Sequence, residues 1–219
     1  MSDSATLHAA LAAVRQLDAL GLNRGSTGNL SVRAGSEHAP GSFWITPTGM
    51  PADELAVDRF VLVADDGSVL QGDWAPSTEW PFHRAVYRAR PELAAVVHMH
   101  SPHATALACL RRELPAFHYM VAVAGGDNVP CTPYHLFGTE ALSQAVGAAF
   151  ADRNACLMAN HGLVAGGASL AQAMKVALEI ESLCGIYLQA LAVGEPVLLS
   201  RSQMAEVIER FRHYGRARR

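Results

Sequence analysis

The stretch Val96-Val97-His98-Met99-His100 is an apolar run that carries two histidines two residues apart. A short apolar run is typical of a buried strand, and successive side chains of a strand point to opposite faces of the sheet. His98 and His100 are therefore predicted to project from the same face, where both imidazoles can bind one ion.

A third histidine occupies a similar setting. His161 follows the apolar run Ala155-Cys156-Leu157-Met158-Ala159 and directly precedes Gly162. Three imidazoles suit a divalent transition metal, and three protein nitrogens leave room for a substrate or a carboxylate. The pattern favours a catalytic site over a structural one. A His-x-His pair alone is common by chance, so the prediction depends on the surrounding residues.

The composition is that of a globular chain without strong charge. Its 219 residues are 50% hydrophobic and 17% charged, and we expect a single domain spanning residues 1–219. The formal net charge of -3 gives no general attraction to nucleic acid or to an anionic membrane. We expect no apolar run to span a bilayer, and residues 1–4 lack the charged start of a targeting signal. These features predict a cytoplasmic protein.

Lysine is almost absent from the chain. Lys175 is the only one, and it lies in the apolar, helical stretch 170–180, outside the polar and glycine-rich segments of the candidate site. A Schiff-base mechanism needs a lysine amine in the site, and a P-loop needs Gly-Lys-Ser/Thr. Neither is available, so carbonyl chemistry in this protein would have to rely on a metal.

Hydrophobic periodicity predicts strands joined by turns and interleaved with helices. We predict strands at 30–33, 43–46, 60–64, 69–70, 94–100, 155–160 and 163–165, and helices at 5–20, 77–90, 102–111, 139–150, 169–191 and 202–213. This order is typical of an α/β fold with a mixed, largely antiparallel sheet covered by helices.

Glu79 is a candidate for chemistry in the segment Ser77-Thr78-Glu79-Trp80. An acid in the first turn of a helix is ordinarily explained by the helix dipole. The functional alternative is a carboxylate close to a metal, serving as a ligand or as a general base.

Three short segments combine glycine or a helix start with hydrogen-bonding side chains. Ser77, the predicted N-cap of the helix at 77–90, and Thr78 add hydroxyls to that helix N-terminus, and Thr27-Gly28-Asn29 and Thr48-Gly49 form glycine turns. Such backbone can approach and bind an anion. Each segment alone is more often structural. Together, in a chain with one lysine, they indicate a phosphate held mainly by neutral donors.

Other aromatic residues and histidines carry weaker signals. Tyr119 is the best tyrosine candidate for a proton donor, although buried tyrosines usually only satisfy their hydroxyl. Phe137 and Tyr214 are compatible with ordinary packing. Four histidines are interpreted as ordinary core or surface residues and are left out of the metal set: His83, His103, His118 and His135.

Taken together, these segments resemble the aldolases of the class II aldolase/adducin superfamily. The similarity extends over almost the whole chain and its motifs occur in the same order. They lie at residues 21–33, 45–49, 77–83, 96–100, 118–120, 125–126, 129–134, 137–139, 160–163 and 213–215. The chain departs from the usual pattern at Thr78, which replaces a serine, at Pro81, and in a longer loop at 36–42.

The resemblance implies a three-layer α/β/α fold and a specific site. One zinc ion per subunit would be bound by His98, His100 and His161, with another divalent transition metal as an alternative, and Glu79 would both ligate the metal and act as acid/base. The implied phosphate pocket consists of Gly28, Asn29, Thr48, Gly49, Ser77 and Thr78. Tyr119 would donate a proton in the site of a neighbouring subunit, and Phe137 and Tyr214 would line the substrate wall. A homotetramer with interfacial sites is expected.

The implied reaction is reversible retro-aldol cleavage of a ketose 1-phosphate to dihydroxyacetone phosphate and an aldehyde. L-fuculose, 5-deoxyribulose and 5-methylthioribulose 1-phosphates all stay open as substrates, because small aldehyde tails differ by contacts worth about 1–3 kcal/mol. Alternatives are a methylthioribulose-1-phosphate dehydratase or a sugar-phosphate 4-epimerase, although such epimerases usually carry Asp at the position of Glu79. A non-catalytic adducin-like module is disfavoured, because such modules lose metal ligands and the three histidines are present here.

Overall fold

A single twisted sheet runs through the computed structural model, which describes residues 3–213. Its strands are β1 (Asn29–Arg33), β2 (Phe43–Ile45), β3 (Val61–Val63), β4 (Val69–Gln71), β5 (Ala95–Met99), β6 (Cys131–Thr132), β7 (Ala155–Met158) and β8 (Gly162–Gly167). The helices are α1 (Asp3–Ala19), α2 (Trp80–Ala89), α3 (Pro102–Cys109), α4 (Glu140–Ala149), α5 (Leu170–Val193) and α6 (Arg201–His213).

The eight strands follow the order β4-β3-β2-β1-β5-β8-β7-β6. All neighbouring pairs are antiparallel except β6 and β7, which are parallel. This arrangement confirms the prediction of a mixed, largely antiparallel sheet. Strand β6 and the 3-10 helices Val57–Arg59 and Tyr119–Ala124 were not predicted, because these segments are too short to show a clear period.

Helices cover both faces of the sheet and confirm the three-layer α/β/α architecture. Alternate strand residues such as Val97 and Met99 pack into a core with α1, α3 and α5. Residues of the opposite face, including Val96 and Val164, pack with α2 and α4. The period-2 alternation of β5 therefore directs His98 and His100 to the face covered by α2 and α4.

Helix α5 extends over Leu170–Val193, close to the predicted 169–191, and is largely apolar. By length and composition it could cross a membrane, so the expectation that no apolar run reaches this length is wrong. In the fold, however, it packs against β8, α3 and β5. Its apolar residues are divided between this contact and the surface, as in the core helix of a globular domain.

Helix α2 begins later than predicted. The expected N-cap was Ser77, but the helix begins at Trp80 and Glu79 occupies the cap position. Ser77 Oγ instead accepts a hydrogen bond of 3.3 Å from the backbone N–H of Glu79. The side chain of Glu79 makes no capping bond, because it turns towards the sheet. The delayed start thus frees the carboxylate for contacts outside its own helix.

Candidate active site

The three predicted ligand histidines meet at one end of the sheet. His98 lies on β5, His100 follows that strand directly, and His161 lies in the turn between β7 and β8. Strands β5 and β8 pair antiparallel, with Met99 opposite Leu163, which brings the turn beside the end of β5. A strand face and a neighbouring hairpin therefore supply the three imidazoles.

The three imidazoles form a compact triangle. Each pair of ring centroids is 4.8 Å apart, and the rings are inclined to one another by 69° to 82°. One ring nitrogen from each histidine lies within 4.8 Å of the other two, and the Nε2 atoms of His98 and His100 are 3.0 Å apart. Three ring nitrogens this close together, on rings that are inclined to one another, match a site that could hold a metal ion.

The protonation of His98 also suits a ligand. Its Nδ1 lies 3.0 Å from the carbonyl oxygen of Leu163. Because a carbonyl can only accept, Nδ1 must carry the proton and Nε2 offers its lone pair to the cluster. Burial lowers the pKa of His98 to about 3 and also lowers the pKa of His100. Both rings are therefore neutral at pH 7.

The absence of a side chain at Gly162 allows the three histidine rings to pack closely. A Cβ atom at this position would lie 2.6 Å from the carbonyl oxygen of Met99 and 3.2 Å and 3.4 Å from ring carbons of His100 and His98. Any larger residue would push the hairpin away from β5. The glycine after His161 is thus required for the close packing of the three rings.

Glu79 closes the site from the side of α2. Its Oε2 lies 3.3 Å from His98 Nε2, and its Oε1 lies 3.2 Å from His161 Nε2. Burial alone would raise the pKa of Glu79, but the neighbouring His161 and a hydrogen bond from Asn29 bring that pKa well below its usual value. The carboxylate is therefore ionised at neutral pH and faces the histidine cluster.

The donor set fits a transition metal. Neutral imidazoles and one carboxylate are the ligands that zinc and related ions take, and buried Glu79 Oε1 has no hydrogen-bond partner of suitable geometry. A second cluster of this kind, formed by Asp3, Glu37 and His38, is better explained as a structural contact. There Asp3 accepts bonds from Trp44 Nε1 and His38 Nε2, both at 2.7 Å, which leaves it little capacity for an ion.

A cavity of about 320 Å³ opens above the histidines. The structure places all six residues predicted for the phosphate pocket on its wall: Gly28, Asn29, Thr48, Gly49, Ser77 and Thr78. Among the residues that the structure describes, no lysine or arginine lines it. An anion in this cavity would therefore be held by hydroxyls, backbone amides and the nearby helix start.

Gly28 connects the cavity wall to the metal-site strand. Its backbone has φ +72, which favours glycine, and a Cβ atom there would lie 2.6 Å from the carbonyl oxygen of His98. In the same region Asn23 Oδ1 accepts a 3.1 Å hydrogen bond from the backbone N–H of His100. The glycine turn and the histidine strand are therefore packed as one unit.

The remaining residues predicted for the site, Phe137, Tyr119 and Tyr214, do not all lie at the cavity. Phe137 lines the cavity and is 61% exposed, whereas Tyr119 is 49% exposed and lies outside that cavity, with its ring against Phe211. Lys175 borders the same outer groove as Tyr119. Tyr214 lies outside the described residues.

Several residues near the site were missed by the sequence analysis. Tyr134, His135 and Asn160 line the cavity. Asn160 adopts φ +55, an uncommon backbone conformation that a sequence pattern does not reveal. His83, interpreted from the sequence as an ordinary histidine, is hydrogen-bonded to Asn29 in the buried layer behind Glu79.

Comparison with known proteins agrees with this geometry. Residues 8–188 match the family model described as the class II aldolase and adducin N-terminal domain. A 5-methylthioribulose-1-phosphate/5-deoxyribulose-1-phosphate aldolase of Rhodospirillum rubrum is 44% identical, with 95% of this chain and 91% of that protein covered. An L-fuculose phosphate aldolase of Escherichia coli is also 44% identical, with 91% of each chain covered.

A solved structure shows the same relationship. An L-fuculose 1-phosphate aldolase superposes with a TM-score of 0.91 and 36% identity, covering 97% of this chain and 98% of that one. Since these relatives share an aldolase name and nearly their full length with it, the chain is an enzyme of the aldolase type. It belongs to the class II aldolase and adducin family.

Proposed function

We propose that this enzyme is a zinc-dependent aldolase that reversibly cleaves a ketose 1-phosphate to dihydroxyacetone phosphate and an aldehyde. The observation that carries the proposal is a convergence of four side chains at the base of a cavity that is lined by hydroxyls and glycine turns suited to phosphate. These side chains are His98, His100, His161 and Glu79. The candidate substrates are L-fuculose, 5-deoxyribulose and 5-methylthioribulose 1-phosphates, as the names of the relatives suggest.

Glu79 is the proposed acid/base. In the condensation direction its carboxylate takes a proton from the carbon of dihydroxyacetone phosphate that forms the new bond, and in cleavage it returns that proton. The Asn29 amide donates to Oε2 over 2.8 Å, which holds the carboxylate in place. The side chain is largely buried, with its exposed part at the floor of the cavity.

The histidines would hold the metal and the cavity wall would hold the phosphate. When bound, the zinc supplies Lewis-acid stabilisation for the negative charge that develops on the substrate oxygens. Thr48, Ser77 and Thr78 offer hydroxyl donors to the phosphate, beside the glycine turns at Gly28 and Gly49. With neutral donors only, the cavity binds the phosphate without adding a second strong positive charge beside the metal site.

Tyr119 is the proposed proton donor to the oxygen of the aldehyde. Within one chain it lies outside the cavity, on an exposed groove with Phe211. We therefore propose that it acts in the site of an adjacent copy, in a homotetramer with cyclic symmetry whose sites lie between subunits. The family resemblance further suggests Phe137 and Tyr214 for the wall around the aldehyde, and the enzyme is expected to be cytoplasmic.

A mixing experiment tests this arrangement. Tyr119→Phe and Glu79→Gln should each be nearly inactive alone. Co-assembled at equal amounts, they should recover about a quarter of wild-type activity per site, because random neighbours pair an intact Glu79 with an intact Tyr119 at that frequency. Each variant taken through the same treatment alone is the control. If the mixture stays as inactive as the separate variants, Tyr119 does not act across subunits.

Substrate cleavage tests the reaction itself. The purified, zinc-loaded protein should form dihydroxyacetone phosphate from at least one of the three ketose phosphates, as followed by coupled reduction of that product. Loss of 5-methylthioribulose 1-phosphate without dihydroxyacetone phosphate would favour the dehydratase. A product of unchanged mass would favour the epimerase. Protein that takes up no zinc and acts on none of the three would favour a binding module.

A further inference from the structure

A row of buried polar side chains runs behind Glu79, between the sheet and α2. Ser31 Oγ lies 2.7 Å from His83 Nδ1, and His83 Nε2 is hydrogen-bonded to Asn29 Oδ1. Asn29 Nδ2 then donates to Glu79 Oε2 over 2.8 Å. All four side chains are buried. Polar groups in such a layer are costly unless each is satisfied, so the row connects four residues whose orientations depend on one another.

The chemistry of each group sets the direction of these hydrogen bonds. The ionised Glu79 only accepts, so Asn29 must turn its NH₂ towards Glu79 and its carbonyl oxygen towards His83. That oxygen also accepts, so His83 carries its proton on Nε2, and its Nδ1 accepts from the Ser31 hydroxyl. Burial lowers the pKa of His83 to about 3, so the ring is neutral with a single N–H. The Tyr87 hydroxyl, 2.9 Å from Ser31 Oγ, completes the bonding of the serine.

We propose that His83 is a positioning residue whose Nε2–H holds the Asn29 amide in the orientation that donates to Glu79. The two ends of an amide are almost equal in size, so packing alone does not select this orientation. With the amide reversed, its carbonyl oxygen would face the carboxylate, and repulsion would move Glu79 away from the histidines. The inference rests on the proposed function, in which Glu79 is the acid/base.

A matched pair of substitutions tests the proposal. The amide nitrogen of glutamine reaches the position of a histidine Nε2, whereas that of asparagine reaches only the position of Nδ1. His83→Asn should lower kcat by about 10–100-fold, and His83→Gln should stay within about fivefold of wild type. KM should change by less than about threefold in both, because the Thr48, Ser77 and Thr78 hydroxyls and the glycine turns of the cavity wall are unaltered.

Tyr87→Phe is the control for a general loss of buried polar contacts. It removes a hydroxyl from the same layer but leaves the bonds from Ser31 to His83 and from His83 to Asn29 in place. Its kcat should stay within about twofold of wild type, even if the loss of this buried hydroxyl lowers its melting temperature.

Crystal structures of the variants give a readout that does not depend on activity. In His83→Asn the Glu79 carboxylate should shift by about 0.5 Å or more, while in His83→Gln it should superpose on the wild type. Should His83→Asn fail to fold, His83→Leu is expected to give the same shift, since leucine fills the site but offers no donor to the Asn29 oxygen. An unmoved carboxylate, or equal kcat losses in the Asn and Gln variants, would overturn the inference. Inactivity of the wild type would instead contradict the proposed function.

Discussion

His161→Ala is expected to lose bound zinc and to lower aldolase turnover by about 10³-fold, because Lewis-acid stabilisation is worth several kcal/mol and each 1.4 kcal/mol is a factor of ten. The residue suits this test because it lies in a turn at the cavity edge rather than in the core. Metal content per chain and kcat should be measured on the same preparation. Zinc added back to chelator-treated wild type should restore turnover, whereas the same addition should not restore the variant.

His38→Ala provides the matched control. It removes an imidazole from the second cluster, with Asp3 and Glu37, whose geometry indicates a structural contact. We expect this variant to keep both zinc and turnover. Should His38→Ala lose zinc while His161→Ala retains it, the assignment of the metal site to the His98, His100 and His161 triangle would be wrong.

The parts of the site that the sequence predicts are those set by local periodicity. The spacing of His98 and His100 predicts a shared strand face, and the structure places both imidazoles on that face. The segment 155–165 contains both strands of a hairpin, so the position of His161 at its turn also follows from nearby residues. Periodicity could not predict the pairing of β5 with β8, because the paired residues are 64 to 72 positions apart in the chain, from Met99 with Leu163 to Ala95 with Gly167.

The features that the sequence analysis missed depend on distant partners. His83 lies on the buried face of α2, where a histidine is usually a core residue, and its partners Ser31 and Asn29 come from β1. The expected cap at Ser77 followed ordinary helix-start rules, which do not anticipate that Glu79 turns to the sheet. The three segments predicted to bind phosphate, at 27–29, 48–49 and 77–78, were identified by composition. Only the folded chain brings these segments together around one cavity.

Glu79→Gln is expected to keep near-stoichiometric zinc while kcat falls by about 10²–10⁴-fold. Three imidazoles remain to hold the metal, and glutamine keeps the shape of the side chain and can still accept from Asn29. The substitution removes the negative charge and with it the ability to take a proton. KM should change little, because the hydroxyls and glycine turns that line the cavity are unaltered.

Glu181→Gln controls for the neutralisation of a buried glutamate elsewhere. Glu181 accepts hydrogen bonds from Ser101 Oγ and from the backbone N–H groups of His103 and Ala104, at the start of α3 and outside the cavity. This variant should lose some free energy of unfolding, by about 1–3 kcal/mol, and keep its turnover per folded chain.

Solvent hydrogen exchange isolates the step that Glu79 is proposed to perform. In heavy water and without an aldehyde, the wild type should exchange one carbon-bound hydrogen of dihydroxyacetone phosphate, because the proton taken by Glu79 is replaced from solvent before it returns. Glu79→Gln should slow this exchange as much as it slows turnover, since both need the same proton transfer. Exchange at the wild-type rate in a variant with low turnover would mean that another group removes the proton, and the carboxylate would then be a metal ligand only.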